Sequence, residues 1–466
     1  MNKSMNGIQK IRNVYFLGIG GIGMSALARY FKFTGRNVAG YDRTQSALTD
    51  ALQAEGIDVH FEDDIRNIPS KWNPTETIAV YTPALPDEHK ELNWFKSQPI
   101  GLFKRAKVLG MICNEHNGIG VAGTHGKTTT STIVTNILSK TEQGCGAFLG
   151  GISKNFRSNL VLPKAESPWI VAEADEFDRS FLHLKPQLAL VTSVDADHLD
   201  IYGEKEKIVE SFEKFISQIR PDGSLVLKEG VDLDTSKTEA KVYSYSLKGN
   251  TDFTTHNLHL NPETGFYSFD LKTPAGIIAN CKMNYPGLVN VENTVGASAL
   301  AWLAGASANA IKAGIEDYEG VARRFDIRYR SENRIYIDDY AHHPAELEAF
   351  ITSVKALFPD KKVTGIFQPH LYSRTKDFAA EFAQSLDLLD KAILIPLYPA
   401  REEPIPGVSS DIIYKQMKLE NRMLAERDEV LKILKSDPNE IVVTMGAGDI
   451  DRMVESIIEL LQSKEK

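Results

Sequence analysis

The sequence of 466 residues is poor in cysteine and contains no long apolar run. Its three cysteines, Cys113, Cys145 and Cys281, cannot all pair within one chain, and no two of them have the spacing of a zinc site. Free thiols fit a reducing compartment, so we expect a cytoplasmic protein. No stretch approaches the ~18 apolar residues of a membrane-spanning helix, and the N-terminus lacks the apolar core of an export signal. We therefore expect no membrane partner.

Basic residues are also in deficit, with 53 Lys and Arg against 62 Asp and Glu, for a net charge of −9. This balance argues against a protein that coats nucleic acid, but it says nothing against a local nucleotide site. Apolar residues make up 42% and charged residues 25%, as in ordinary soluble globular proteins. At roughly 150 residues per domain, the length predicts about three domains.

A pattern of short apolar strands and helices starts three times along the chain, which predicts an α/β protein of three domains. We place a Rossmann-like domain at residues 1–112, a P-loop ATPase-like domain at 113–321 and a second Rossmann-like domain at 322–466. The central domain should have a mainly parallel sheet, with small antiparallel strands over about 223–283. In the last domain we expect four strands: Ile335–Ile337, Val363–Phe367, Ala392–Pro396 and Ile441–Met445.

The strongest local signal is a glycine-rich loop between a strand and a helix, Gly123-Thr124-His125-Gly126-Lys127-Thr128-Thr129. Glycines let backbone amides surround phosphate oxygens, and the helix N-terminus adds its positive dipole end. Lys127 can reach the β- and γ-phosphates of a nucleotide, and the hydroxyl of Thr128 can ligate Mg²⁺. Val121 stands where a strict motif has its first glycine.

Two polar residues at neighbouring strand ends could complete a metal site beside this loop. Glu173 has the place of a carboxylate that holds Mg²⁺, and His198 follows the next strand. Together with Thr128 they could bind one or two Mg²⁺ ions. We expect the other acidic residues nearby to be solvated loop carboxylates, namely Asp175, Glu176, Asp195 and Asp197.

A second glycine turn follows the first predicted strand, with the sequence Gly18-Ile19-Gly20-Gly21-Ile22-Gly23. Asp42 comes 19 residues later, at a place that suits contact with a ribose. Thr82 ends a third strand of the same predicted sheet. The pattern indicates a nucleotide diphosphate, and taken alone it also fits an NAD-dependent oxidoreductase.

The C-terminal domain concentrates polar side chains in Asp338-Asp339-Tyr340-Ala341-His342-His343-Pro344 and in Gln368-Pro369-His370-Leu371-Tyr372-Ser373-Arg374. Arg374 could pair with a substrate carboxylate. Adjacent histidines rarely face one ion, so we do not predict zinc here. Asn290 and Asn293 lie three residues apart at a helix start, where they could contact an adenine edge, or Asn290 could cap the helix.

These motifs together resemble the Mur ligase family over nearly the whole chain, from Val14 to about Asp449. The resemblance rests on Gly-Thr-His-Gly-Lys-Thr-Thr at 123–129, Glu-Ala-Asp-Glu at 173–176 and Asp-His-Leu-Asp at 197–200. The 338–344 motif narrows the choice, and Gln-Pro-His at 368–370 with Ser-Arg-Thr at 373–375 is typical of the alanine-adding members. A sister ligase that recycles murein tripeptide resembles the last stretch less.

The resemblance implies a task for each domain. The first would bind UDP-N-acetylmuramate through Gly18, Gly20, Gly21, Gly23, Asp42 and Thr82. The second would bind Mg-ATP through Gly123–Thr129 with Asn290 and Asn293, and Thr128, Glu173 and His198 would serve the metal. Arg324 would contact the terminal phosphate, and Asp339 would lie near the ATP ribose. Tyr340, His370 and Arg374 would line the alanine pocket, where Leu371 stands in place of an arginine found in some members.

The implied reaction joins L-alanine to the lactyl carboxylate of UDP-N-acetylmuramate, for the synthesis of peptidoglycan precursors. ATP would activate the carboxylate as an acyl phosphate, and His343 or another base would take the proton of the amine. We expect a cytoplasmic monomer or homodimer with small-molecule partners only. Three alternatives stay open: the tripeptide-recycling ligase, an NAD-dependent oxidoreductase, and a non-catalytic nucleotide sensor.

Overall fold

The computed structural model describes residues 8–83, 85–195, 205–261, 264–400, 402–436 and 440–464. The chain divides into two compact units. The first unit comprises Met1–His256, Asp270–Cys281 and Asn293–Tyr318, and the second comprises Asn257–Phe269, Lys282–Glu292 and Glu319–Lys466. Among the described residues, every helix is too short or too polar to cross a lipid bilayer.

The first unit opens with a parallel sheet. Its strands are β1 (Asn13–Leu17), β2 (Asn37–Tyr41), β3 (Asp58–His60), β4 (Thr77–Tyr81) and β5 (Gly101–Lys104), in the order β3-β2-β1-β4-β5. Its helices are α1 (Ile22–Phe33), α2 (Ala47–Ala54), α3 (Lys90–Ser97) and α4 (Arg105–Asn114). All five residues of β1 are buried, with Phe16 in one apolar cluster and Tyr15 in another. Helices therefore cover both faces, as a doubly wound fold requires.

A second sheet of seven strands follows in the same unit. Its strands are β6 (Asn117–Ala122), β7 (Gly146–Ser153), β8 (Ser158–Val161), β9 (Trp169–Glu173), β10 (Leu188–Val191), β11 (Ser224–Lys228) and β12 (Lys241–Tyr245), in the order β12-β11-β10-β6-β9-β7-β8. Every pairing is parallel except that of the edge strand β8 with β7. The helices beside it in the chain are α5 (Lys127–Ser139), α6 (Lys205–Ile216), α7 (Leu288–Leu303) and α8 (Ala308–Glu316), and α7 belongs to the first unit from Asn293 onward.

One apolar cluster runs through both sheets of the first unit. It includes Leu27 and Phe31 of α1, Phe148 of β7 and Val191 of β10. The rings of Tyr30 and Phe148 lie 5.4 Å apart between centroids. The amide of Asn159 in β8 donates a 2.6 Å hydrogen bond to the carbonyl of Ile22 at the start of α1. The α1 helix is thereby packed onto the second sheet as well as the first.

The predicted antiparallel region is smaller than expected. Residues 224–245 were expected there, but β11 and β12 extend the parallel sheet, in register with β10. The small antiparallel sheet consists of β13 (Thr254–Leu260), β14 (Tyr267–Thr273) and β15 (Gly276–Met283). For β12 the cause is its place at the edge of the sheet, where its mixture of exposed and buried residues resembles the pattern of an antiparallel strand.

The second unit has a six-stranded sheet. Its strands are β16 (Asp326–Arg330), β17 (Ile335–Asp339), β18 (Val363–Phe367), β19 (Lys391–Leu394), β20 (Arg422–Leu424) and β21 (Ile441–Met445), in the order β16-β17-β21-β18-β19-β20. Only β16 runs antiparallel to its neighbour. Its helices are α9 (Pro344–Leu357), α10 (Tyr372–Asp377), α11 (Ala379–Leu386), α12 (Asp411–Tyr414), α13 (Arg427–Lys435) and α14 (Val454–Ser463). The α/β class with mainly parallel sheets is therefore confirmed, and the four predicted strands form the centre of this sheet.

Candidate functional site

The phosphate loop lies between β6 and α5, as the motif predicts. Gly126 precedes α5 with φ of 79°, and a Cβ atom there would lie 2.8 Å from Oδ1 of Asn293. Gly123 has φ of 135°, and a Cβ atom there would collide with the hydroxyl of Thr192. Both positions therefore require glycine, because they combine a positive φ with a lack of space.

Lys127, the first residue of α5, makes a buried ion pair. Its ammonium nitrogen lies 2.9 and 2.8 Å from the two carboxylate oxygens of Glu176 and donates a 2.7 Å hydrogen bond to the carbonyl of Gly123. Burial opposes the charge of Lys127, but Glu176, Asp175 and Glu173 outweigh it and raise its pKa. Lys127 is therefore charged, and its ammonium group lies against its own loop, where it could pair with a bound anion.

Glu176 corrects an expectation from the sequence. Its side chain is only 1% exposed, so it is not a solvated loop carboxylate. Burial raises the pKa of this carboxyl, and Lys127 opposes that effect. Asp195 has a side chain that is 60% exposed, in line with expectation, while Asp197 lies outside the described residues. Sequence reasoning missed Glu176 because a loop carboxylate gives no local sign of its burial.

Thr128 and Glu173 form the second contact at the loop. The hydroxyl of Thr128 donates a 2.8 Å hydrogen bond to Oε2 of Glu173, the last residue of β9. A hydroxyl and a carboxylate converging on one point are oxygen donors of the kind that Mg²⁺ takes, with nucleotide phosphates and water as its other ligands. The donor set therefore fits Mg²⁺. His198, the third predicted ligand, lies outside the described residues.

The rest of the loop is fixed to the end of β10. The hydroxyl of Thr124 lies 2.8 Å from that of Ser193, which also accepts a 3.0 Å hydrogen bond from the backbone amide of His125. The imidazole of His125 lies 3.7 Å from the carboxylate of Asp195. Thr129 is buried in the first turn of α5. The loop thus keeps its shape through contacts within the protein.

Asn290 and Asn293 both lie in α7, and both are buried. The helix begins at Leu288, so Asn290 does not cap it. The Asn290 amide instead donates a 2.7 Å hydrogen bond to the carbonyl of Pro286. Asn293 stands beside Gly126 of the phosphate loop, which is where a residue in contact with a bound nucleotide would be expected. Adenine contact by this pair stays a prediction.

The glycine turn at Gly18–Gly23 joins β1 to α1, and Asp42 holds it. The Asp42 carboxylate accepts hydrogen bonds from the amides of Gly20, at 2.7 Å, and of Thr44, at 3.1 Å. Gly18 has φ of 85°, and a Cβ atom there would lie 2.6 Å from the methyl of Thr82. Gly21 and Gly23 flank the helix start. The predicted residues therefore come together, although the observed partners of Asp42 are backbone amides of the turn.

In the second unit, Asp339 and two arginines surround Tyr340. The guanidinium carbons of Arg323 and Arg324 lie 5.1 and 5.0 Å from the centre of the Tyr340 ring. Asp339 accepts hydrogen bonds from the amides of Phe325, at 2.6 Å, and Ala341, at 2.7 Å. Burial raises the pKa of Asp339 to about 7, against the opposing effects of Arg324 and these amides. Asp339 thereby fixes the backbone next to Arg324.

His370, which the sequence predicts in the alanine pocket, lies beside His342. The rings of His342 and His370 lie 6.1 Å apart, and His370 stacks on Tyr398 at 5.9 Å. Burial lowers the pKa of both to about 4, and the positive charge of Arg374, a buried residue, adds to this. Both imidazoles are therefore neutral at pH 7, and the same burial makes them weak bases.

His343, the base that we proposed from the sequence, has a different setting. It directly precedes α9, which begins with Pro344, and its ring packs against Phe378 at 5.0 Å. The residue that approaches His370 is its neighbour His342, which the motif contains but which we did not select. Two adjacent residues at a helix start point in different directions, and the sequence does not say which of them faces the pocket.

Three family models match successive parts of the chain. They are described as "Mur ligase family, catalytic domain" at residues 13–117, "Mur ligase middle domain" at 121–301 and "Mur ligase, glutamate ligase domain" at 323–448. Together they leave few residues unmatched between Asn13 and Gly448.

Individual proteins show the same similarity. The UDP-N-acetylmuramate–L-alanine ligase of Parabacteroides distasonis is 49% identical over 456 residues, which cover 97% of this chain and 98% of that protein. The ligase of the same name from Phocaeicola vulgatus is 46% identical, covering 98% and 100%. The crystal structure of the UDP-N-acetylmuramate–alanine ligase from Thermotoga maritima superposes with a TM-score of 0.80 at 25% identity, covering 97% and 99%. The chain therefore belongs to the Mur ligase family.

Proposed function

We propose that this chain is an ATP-dependent ligase that joins L-alanine to the lactyl carboxylate of UDP-N-acetylmuramate, releasing ADP and phosphate, in peptidoglycan precursor synthesis. The observation that carries the proposal is the phosphate loop, where Lys127 and the pair of Thr128 and Glu173 meet at one helix start. The names of the curated relatives favour L-alanine over murein tripeptide.

The phosphate loop would bind the nucleotide. When the nucleotide binds, the charged ammonium of Lys127 would leave Glu176 and pair with the β- and γ-phosphates. The amides at the start of α5 would donate hydrogen bonds to the phosphate oxygens. Thr128 and Glu173 would hold Mg²⁺, which supplies charge neutralisation at the transferred phosphoryl group. His198 as a further ligand, and Arg324 at the terminal phosphate, are parts of the proposal.

The first sheet would hold the UDP end of the second substrate. The turn at Gly18–Gly23 suits a diphosphate, because glycines allow close approach and α1 begins there. An oxidoreductase would use the same turn for NAD, but it would leave Lys127, Thr128 and Glu173 without a role. This is the physical reason for preferring the ligase.

The reaction proceeds in two steps. The lactyl carboxylate attacks the γ-phosphorus of ATP in line, which forms an acyl phosphate and releases ADP. The amine of L-alanine then attacks the acyl carbon, the bond to the phosphate oxygen breaks, and the products are an amide and inorganic phosphate. Activation is needed because a free carboxylate is a poor electrophile.

The pocket around His342, His370 and Arg374 would receive L-alanine. The Arg374 guanidinium is suited to pair with its carboxylate. The amine must lose a proton before or during attack. The lowered pKa of His342 and His370 makes both imidazoles weak bases, so we assign them to the lining of the pocket. His343 stays the candidate for the base, and Tyr340 is expected to line the same pocket.

The wider assignments belong to the same proposal. We assign UDP-substrate binding to residues 1–112, ATP binding to 113–321 and alanine binding to 322–466, in a cytoplasmic monomer or homodimer with no nucleic-acid or membrane partner. The sequence boundary at 112 lies inside α4 (Arg105–Asn114), so the division describes tasks along the chain.

One assay tests the function directly. Phosphate release is measured with ATP and UDP-N-acetylmuramate in the presence of L-alanine, glycine, L-serine or murein tripeptide. We expect the highest kcat/KM with L-alanine and no release without the UDP-substrate. Preference for tripeptide would identify the recycling ligase. A change in nicotinamide absorbance would support the oxidoreductase, and ATP binding without turnover would support the nucleotide sensor.

A further inference from the structure

A cavity of about 270 Å³ in the first unit lies beside the glycine turn that precedes α1. It is lined by Ile22 and Gly23 at the start of α1, and by Gly150 of β7, Glu173 of β9 and Asp175. Its volume suits a sugar-sized group better than a whole nucleotide sugar. The cavity therefore extends from the glycine turn of the first sheet to the carboxylate that faces the phosphate loop.

Arg105 lines this cavity, and among the described residues no carboxylate forms an ion pair with it. It is the first residue of α4 and is half-buried. A Cβ atom at Gly23 would lie 3.0 Å from its Nη1 and 3.4 Å from its Cζ, so the guanidinium lies against the first turn of α1. Within the described parts of the chain, no carboxylate lies within 4.0 Å of it and no acceptor receives its hydrogen bonds.

The chemistry of this position indicates an anionic ligand. A guanidinium carries five N–H donors in a planar fork that matches phosphate oxygens, and half-burial makes unmet donors costly. The phosphates of ATP belong to the loop at Gly123–Thr128. The glycine turn beside Arg105 would hold a different anion, the diphosphate of the UDP-substrate.

We propose that Arg105 binds this diphosphate at the phosphate next to the sugar, and that the cavity holds the muramyl group. The inference rests on the proposed function. Gly23 lies in the first turn of α1, on the side of the glycine turn that faces the cavity. Arg105 would therefore contact the second phosphate, and the sugar attached to that phosphate would lie in the cavity. The lactyl end of the sugar then points along the cavity toward Glu173.

The test compares three variants by calorimetric binding and steady-state kinetics. Arg105→Met removes the guanidinium, Arg105→Lys keeps a point charge, and Lys107→Met removes an exposed charge from the same helix as a matched control. For Arg105→Met we expect the Kd and KM of UDP-N-acetylmuramate to rise about tenfold or more. The kcat should change less than about threefold, because the contact is made equally in the ground and transition states. Arg105→Lys should recover part of the loss.

Two other ligands locate the contact. The Kd values of ATP and of UMP, which lacks the second phosphate, should stay within about twofold in Arg105→Met, which also shows that the variant is folded. An unchanged Kd for UDP-N-acetylmuramate would overturn the inference. So would a loss confined to ATP, an equal loss for UMP, or an equal loss in Lys107→Met.

The wild-type protein separates this inference from the proposed function. If the wild type neither binds UDP-N-acetylmuramate nor releases phosphate with L-alanine, both are wrong. If the wild type binds and turns over this substrate and Arg105→Met does so equally well, only the role of Arg105 is wrong.

Discussion

At the scale of single residues, the ion pair between Lys127 and Glu176 combines function with stability. The lysine is the group that an incoming phosphate would attract, yet in the folded chain it also neutralises a carboxylate that is 1% exposed. Removing one partner of a buried pair leaves an uncompensated charge, which costs roughly 3–5 kcal/mol unless the group takes up a proton. Any variant at Lys127 therefore changes two properties at once.

We predict that Lys127→Ala lowers the rate of alanine-dependent phosphate release by about 10²-fold or more, because charge stabilisation at the transferred phosphoryl group is lost. It should also lower the free energy of unfolding, measured by denaturant titration. The double variant Lys127→Ala/Glu176→Gln should recover stability but not rate. A nearly unchanged rate in Lys127→Ala would remove Lys127 from the proposed mechanism, and a double variant no more stable than the single one would contradict the account of the ion pair.

The two neutral histidines make stability depend on pH. The pKa values of His342 and His370 are lowered to about 4 from an ordinary value of 6.5, so between these pH values the unfolded chain binds more protons than the folded one. Stability is therefore complete above pH 6.5 and falls as pH decreases toward 4, by up to about 3 kcal/mol for each histidine.

We predict that His342→Gln loses less stability than the wild type between pH 6.5 and pH 4, because it lacks one of these protonation sites. The free energy of unfolding of both proteins, measured at half-unit pH steps, gives the comparison. Parallel curves over this range would show that His342 is not buried in its neutral form.

At the scale of elements, positive-φ residues mark the ends of the functional loops. Gly126 sits at such a position before α5, where a side chain would also approach Asn293. Gly305, after α7, has φ of 91° and open space around it, so it offers the same backbone conformation without the crowding.

We predict that Gly126→Ala weakens ATP binding by at least about tenfold, because the loop must shift to admit the methyl group. Gly305→Ala should cost about 1 kcal/mol of stability and leave the Kd of ATP unchanged. Calorimetric titration with ATP and chemical unfolding distinguish the two effects. Equal ATP affinity in both variants would mean that the shape of the loop does not depend on Gly126.

Leu371 is a non-glycine residue with φ of 70°, directly before α10. It follows His370 and precedes Arg374 by three residues. Strain at such a position costs of order 1–3 kcal/mol and tends to occur where side chains must be placed for function. The backbone amide of Leu371 donates a 3.0 Å hydrogen bond to the carbonyl of Tyr398, which holds the strained turn in place.

We predict that Leu371→Gly raises the stability of the protein by about 1 kcal/mol and raises the KM of L-alanine several-fold, because the turn no longer fixes Arg374. Arg157→Gly is the matched control, since Arg157 is exposed and has φ of 51°. It should give the same gain in stability with an unchanged KM. An unchanged KM in Leu371→Gly would separate the strain from alanine binding.

The sequence predicts best those features that are determined by residues adjacent in the chain. Both glycine loops depend on residues adjacent in the chain, and each follows a strand and precedes a helix in the structure. The strands β16 and β20 were missed because they are short or lie at a sheet edge, with weak apolar patterns. The partners of Glu176 and Asp42, and the orientation of His342, depend on contacts between distant segments.

At the scale of the whole molecule, the two sheets of the first unit share a core. A single apolar cluster includes side chains of α1, β7 and β10, and α1 contacts the second sheet through Tyr30 and the carbonyl of Ile22. A shared core of this kind couples the stability of the layers that it joins.

We predict that the two sheets of the first unit unfold together. In variants that retain only Trp94 or only Trp169 as the fluorescent reporter, the denaturation curves should coincide. Phe148→Ala should shift both curves equally, by about 3–5 kcal/mol, because it leaves a cavity in the shared cluster. The control Phe33→Ala, on the exposed side of α1, should shift neither. Separate midpoints for the two reporters would show two independent bodies.

The position of α1 has a consequence for the range of substrates that the protein accepts. The glycine turn precedes this helix, and the helix contacts β7 and β8, which follow β9 in the strand order, and β9 ends at Glu173. The shared core therefore fixes the distance between the glycine turn at Gly18–Gly23 and the phosphate loop. A nucleotide sugar whose acid group is one bond too near or too far would bind by its diphosphate and still fail to react.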